Sequence, residues 1–176
     1  NSLYDYQRQR VLTLLDPSSD PLGAGFHTLQ AIIAIGSGGM TGKGWMNGTQ
    51  AHLDFIPERT SDFLFAVFSE EFGFFGDICL LGLYTLLIMR ALYIASVANT
   101  VFERLLACAT ATIFLIYSFV NMGMVSGILP VVGVPLPFMS YGGTALLILG
   151  ICCGLLMKIS AQRRIKVSLY GDDYRS

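Results

Sequence analysis

The chain has 176 residues, 53% of them hydrophobic and only 13% charged, with a formal net charge of −1. Soluble domains carry about a quarter charged residues, whereas here no Asp, Glu, Lys or Arg stands between Leu105 and Met157. A soluble fold of this size would expose part of that run, and a nucleic-acid binder would show a basic face; an all-α polytopic membrane protein with no nucleic-acid partner is expected.

The chain opens on Asn1 without the basic and apolar stretch of a signal peptide, so it is expected to continue upstream. Residues 1–62 are polar, rich in glycine and too long for a connector, which predicts a large outward-facing loop containing short helices. Asp20-Pro21 has the form of a helix start, with Asp as cap and Pro in the first turn. Phe26, Leu29, Ile32 and Ile33 then suit one face of a short interfacial helix ending at Gly36.

The stretch from Gly36 to Trp45 invites comparison with a phosphate-binding loop and fails it. Ser37 stands where the first glycine is needed, and Gly44 where a Ser or Thr is needed. Two readings stay open: a flexible turn over the membrane, or a concavity of backbone N–H groups in which Lys43 meets a pyrophosphate. Polar residues then gather before the first long apolar segment, Gln50, Glu58 and Arg59 among them as candidate substrate contacts. Asp62 directly precedes that segment. It suits a helix cap, and it equally suits a carboxylate that takes a proton from a substrate hydroxyl.

Three segments are long and apolar enough to cross a bilayer: about Phe63–Met89, Leu105–Val120 and Thr144–Met157. They divide the chain into an outer loop at 1–62, a membrane domain at 63–160 and a tail at 161–176, polar and frayed after Ile165. Glu70, Glu71 and Asp77 lie inside the first segment, where a carboxylate needs a partner or a function. At ~100° per residue, Glu70 falls about 80° from Asp62 and Glu71 about 180°, so Glu70 is the candidate for the Asp62 side; Asp77 is assigned no role. Arg90, Arg104, Lys158, Arg163, Arg164 and Lys166 flank the segments on one side, whereas 121–143 has no basic residue. This places the C-terminus in the cytoplasm and the long N-terminal loop outside.

The segment 121–143 is apolar yet carries Pro130, Pro135 and Pro137, the mark of a re-entrant stretch buried in protein or lining a cavity. Ser140 and Tyr141 end it, either as cap and interface anchor or with hydroxyls towards substrate. Cys79, Cys108, Cys152 and Cys153 fall in apolar segments without metal-ligand spacing and read as small hydrophobes.

Taken together, these segments resemble the SEDS family of cell-wall polymerases (shape, elongation, division and sporulation), and most closely its RodA branch. The matching stretches include Tyr6-Gln-Arg-Gln-Arg-Val11, Leu15-Asp-Pro17, Asp20-Pro-Leu-Gly-Ala-Gly25 and Ala34-Ile-Gly-Ser-Gly-Gly39. Gly48-Thr-Gln50, Phe55-Ile-Pro-Glu-Arg59, Asp62-Phe63 and Glu70-Glu-Phe-Gly73 follow, then Asn121 to Pro137 and Ser140-Tyr-Gly-Gly143. The resemblance implies a multi-pass inner-membrane enzyme of which this chain is the C-terminal half. It further implies polymerisation of lipid II into glycan strands, beside a class B penicillin-binding protein that cross-links them. The wording around Gly48-Thr-Gln50 favours elongation and cell shape. The family's essential acid matches Asp62. One departure is Thr60-Ser61, where RodA-like members have His-Thr, so no role for that histidine carries over.

The expected chemistry is inverting glycosyl transfer between two lipid-linked disaccharides, with Asp62 activating the acceptor hydroxyl. A leaving pyrophosphate needs positive charge, from Lys43 and Arg59 or from a divalent cation, with Glu58 as an orienting group. No cofactor is certain. Two rivals share these features: a transporter of the lipid-linked precursor, since broken helices and intramembrane acids also mark transporters, and a non-catalytic scaffold for the partner synthase.

Overall fold

The structure, a computed structural model, describes residues 24–45, 47 and 62–172. Helix α1 runs Ala24–Gly38, α2 Leu64–Val97, α3 Val101–Val125 and α4 Gly143–Asp172, with no strand among the described residues. Three helices are long and apolar enough to cross a membrane: α2, α3 and the first 20 residues of α4, Gly143–Gln162. The chain is therefore an all-α, multi-pass membrane protein, as its hydropathy predicts. Each helix outruns its expected segment, α2 through a largely apolar stretch up to Val97 and α3 by about a turn at each end. The tail, expected to fray after Ile165, stays helical to Asp172.

The described residues fall into two compact units, with the division inside α2 at Leu81/Gly82 and inside α3 at Ile116/Tyr117. One unit holds Gly82–Ile116 and α4. Its core is built from Ala91, Ile94 and Ala95 of α2 with Ala98 just beyond it, Ala107, Ala111 and Phe114 of α3, and Leu149, Cys152, Leu156 and Ile159 of α4. Alanine on two of the three helices lets their backbones approach, which is how helices pack where lipid removes the hydrophobic drive. The α2–α3 connection closes with a capping box. Thr100 Oγ1 accepts from the Glu103 amide at 3.2 Å, and Glu103 Oε2 accepts from the amides of Asn99 and Thr100. Arg104 Nε donates to the Ala98 carbonyl at 3.1 Å, a cation on an orphan carbonyl just past the α2 C-terminus.

The other unit holds α1, the start of α2, the end of α3 and the segment up to Gly142. Within this unit α1 packs through its small face. Thr28, Ala31, Ala34 and Gly38 are buried, whereas Leu29, Ile32 and Ile33 are 39–51% exposed. Small side chains are needed because the backbones come close: a Cβ on Gly38 would strike the Ser69 carbonyl oxygen. The helix also runs two residues past its expected end, to Gly38, and its expected start at Asp20-Pro21 lies outside the described residues.

What the hydropathy pattern does not reveal is a break in α2. Gly73 has φ 67° and ψ −166°, so the helix stops and restarts around it. A break frees carbonyls behind it and amides ahead of it, and the loop after α1 takes them over. The amides of Lys43 and Gly44 donate to the carbonyls of Glu70 and Glu71 at 3.0 Å each. In return the carbonyls of Gly39 and Met40 accept from the amides of Phe74 and Phe75, at 3.0 and 3.2 Å. Contact is so close that a Cβ on Gly73 would overlap the Gly42 amide nitrogen. Trp45 packs edge-on against Phe72 at the end of this insertion.

Candidate active site

Asp62 sits in the turn immediately before α2, half-buried, with Phe63 fully packed behind it. The Phe63 ring lies against His27 of α1, centroids 6.3 Å apart, which ties that turn to the first helix. From the other side the Pro-rich segment folds back on α3. The amides of Ile128 and Leu129 both donate to the Gly123 carbonyl, at 2.9 and 3.0 Å. Asn121, wholly buried, donates through Nδ2 to the Val134 carbonyl at 2.6 Å and to the Asp62 carbonyl at 2.9 Å. Val134 therefore lies beside Asn121, one turn before the end of α3, the reversal expected of a re-entrant segment. Gly133, at φ 77°, faces the carboxylate so closely that an added Cβ would lie 3.1 Å from Asp62 Oδ2.

Two of the other expected contacts meet each other. Lys43 Nζ is 2.6 Å from Glu70 Oε1, and the Glu70 side chain is wholly buried while that of Lys43 is 29% exposed. Ser37 Oγ adds a longer contact to the same oxygen, at 3.5 Å. The backbone N–H groups of Gly42, Lys43 and Gly44, read from the sequence as the lining of an anion-binding concavity, all donate to backbone carbonyls of α1 and α2. The described part of the glycine loop plugs the α2 break, and these three amides are engaged by backbone carbonyls. Asp77, without a role from sequence, lies 2.7 Å from Ser69 Oγ. In an unbroken helix, residues eight apart are separated by about 12 Å along the axis, so this contact exists because of the break at Gly73.

Ser140 is buried, and its Oγ accepts from the Leu136 amide at 2.8 Å, closing the turn before α4. Tyr141 is 85% exposed. Gln50, Glu58 and Arg59 lie outside the described residues. Among the described residues, no three His, Cys, Asp or Glu side chains gather as a metal site would require.

Residues 2–165 match the FtsW/RodA/SpoVE family, described as a cell cycle protein. The chain belongs to that family. As an FtsW/RodA/SpoVE member it is 59% identical over 163 residues to the peptidoglycan glycosyltransferase MrdB of Escherichia coli K12, covering 93% of this chain and 44% of MrdB. It is 43% identical to the peptidoglycan glycosyltransferase RodA of Treponema pallidum, over 92% of this chain and 37% of that protein. A solved chain, from the structural coordination of polymerization and crosslinking by a peptidoglycan synthase complex, aligns with a TM-score of 0.74 at 34% identity. That alignment covers 92% of this chain and 43% of the other. The chain thus spans less than half the length of these relatives.

Asn121, Gly133 and Gly73 escaped the reading of individual residues for roles. Asn121 carried one usable signal, an amide at the end of an apolar span, where a polar group needs a partner. The two glycines carried none, because their partners are far away in sequence.

Proposed function

We propose that the intact protein polymerises lipid II into glycan strands at the outer face of the bacterial inner membrane, during cell elongation. The acceptor sugar hydroxyl attacks C1 of the donor sugar from the face opposite the pyrophosphate. The new C1–O bond forms as the C1–O bond to pyrophosphate breaks, the lipid pyrophosphate leaves with the electron pair, and the configuration inverts. Asp62 takes the proton of the attacking hydroxyl. Arg59 supplies positive charge to the leaving group and Glu58 orients it, with Gln50, Ser140 and Tyr141 as further substrate contacts. Lys43 and Glu70 serve this site by bracing the loop that fills the α2 break.

The observation that carries this reading is the placement of Asp62: a half-buried carboxylate at the head of a membrane-spanning helix, held between that helix and a folded-back segment. The names of the relatives support it, and the positive residues at Arg90, Arg104 and Lys158 support a cytoplasmic α2–α3 connection and C-terminus. The complex containing the solved relative supports a class B penicillin-binding protein as partner. The test is polymerisation of lipid II by the full-length protein with its partner synthase. Wild type makes long glycan strands, and a folded, partner-bound Asp62→Ala variant makes none. Translocation of lipid II without any lengthening of glycan would replace this reading with that of a transporter.

A further inference from the structure

Beyond the carboxylate itself, the geometry points to Asn121 and Gly133 as positioning residues that set where Asp62 presents its oxygens. We propose that the Asn121 carboxamide clamps the Asp62 turn to the Gly133–Val134 stretch of the folded-back segment, and that Gly133 leaves the space the carboxylate occupies. This inference rests on the reading of Asp62 as the proton acceptor.

Three observations carry it. First, both Nδ2 hydrogens of Asn121 have carbonyl partners, Asp62 at 2.9 Å and Val134 at 2.6 Å, on two segments 59 and 13 residues away in sequence. This fixes the orientation of the amide, since a flipped side chain would set its oxygen against two carbonyl oxygens. Second, Asn121 is 0% exposed, and its Oδ1 is buried with no hydrogen-bond partner among the described residues. An unpaired buried acceptor is a cost, and an apolar side chain at this position would avoid it. What the amide supplies in exchange is its pair of donors. Third, Gly133 adopts φ 77° next to the clamped carbonyl, and any Cβ there would stand 3.1 Å from Asp62 Oδ2. The clamp therefore holds the backbone of Asp62, while Gly133 bounds its carboxylate on one side. Neither residue needs to touch substrate.

Two variants of the full-length protein, assayed with its partner synthase on lipid II, separate this role from a structural one. Asn121→Asp keeps the shape and removes both donors. Gly133→Ala leaves the clamp in place and forces the carboxylate to shift by a few tenths of an ångström. For either variant kcat is expected to fall about tenfold or more, short of the ~100-fold that a full ångström of misplacement of a reacting group can cost. KM should change little and partner binding should stay close to wild type, while Gly133→Ala, strained at φ 77°, should lose some melting temperature and still fold. If Asn121→Asp does not fold, Gly133→Ala decides the matter alone. Wild-type kcat in Gly133→Ala, or a defect confined to KM, would overturn the positioning role while leaving Asp62 as the base, provided Asp62→Ala is inactive. Full activity in Asp62→Ala would instead remove the base reading, and this inference with it.

Discussion

The fully buried carboxylate of Glu70 sets the energetics around the α2 break. Removing its cation strands a charge in a low-dielectric place, which typically costs about 3–5 kcal/mol; the partial exposure of Lys43 puts this pair at the lower end. Lys43→Met should therefore destabilise the protein by about 3 kcal/mol. Adding Glu70→Gln should restore much of that loss, because the uncompensated charge is gone. Thermal unfolding of the purified full-length variants in detergent checks both values. Additive losses would mean that the two side chains do not act as a pair. Both residues were legible from sequence as groups needing an explanation, since an acid in a membrane span and a lysine among glycines are each conspicuous. Their pairing was not, because it joins residues 27 apart through a loop whose path depends on Gly73.

At the level of elements, α2 shows most clearly what hydropathy can and cannot announce. Its apolar content marks a span, and that span is present and longer than expected. The break is silent because no proline marks it; a single glycine takes a left-handed φ, and the partners that repair the ladder come from the loop after α1, about 30 residues earlier in sequence. Gly73→Ala should expel that loop, adding about 1–3 kcal/mol of backbone strain to the overlap of the new methyl with the Gly42 amide. Loss of amide-exchange protection at Lys43, Gly44, Phe74 and Phe75 would report the expulsion. Unchanged protection in a folded variant would show that the loop docks independently of the break. Likewise, α1 was legible as a helix with one large apolar face, yet the face it packs within this chain is the small one. Amphipathic pattern alone does not say which side a neighbouring backbone will approach.

For the molecule as a whole, the family resemblance spread over many short stretches, and the match over residues 2–165 places the chain in that family. The site was legible only in part: Asp62 stood out because it heads an apolar helix, whereas the clamp that holds it joins residues 59 apart. Orientation in the membrane is directly testable. In the full-length protein with native cysteines replaced, Ile128→Cys should react with a membrane-impermeant maleimide in intact cells with a permeable outer layer. Asn99→Cys should react only once the inner membrane is opened. The reverse pattern would invert the proposed topology and put Asp62 on the wrong side for an outer-face polymerase.

The proposed glycosyl transfer depends on the charge of one carboxylate. The decisive measurement is the lipid II polymerisation rate of full-length Asp62→Asn with its partner synthase, beside its melting temperature and partner affinity. The change removes the proton acceptor and almost nothing else. A fall of about 10²–10⁴-fold in rate, the usual contribution of general base catalysis, with stability and partner binding intact, is the predicted result. Polymerisation near the wild-type rate would contradict the account and move the chemistry away from Asp62.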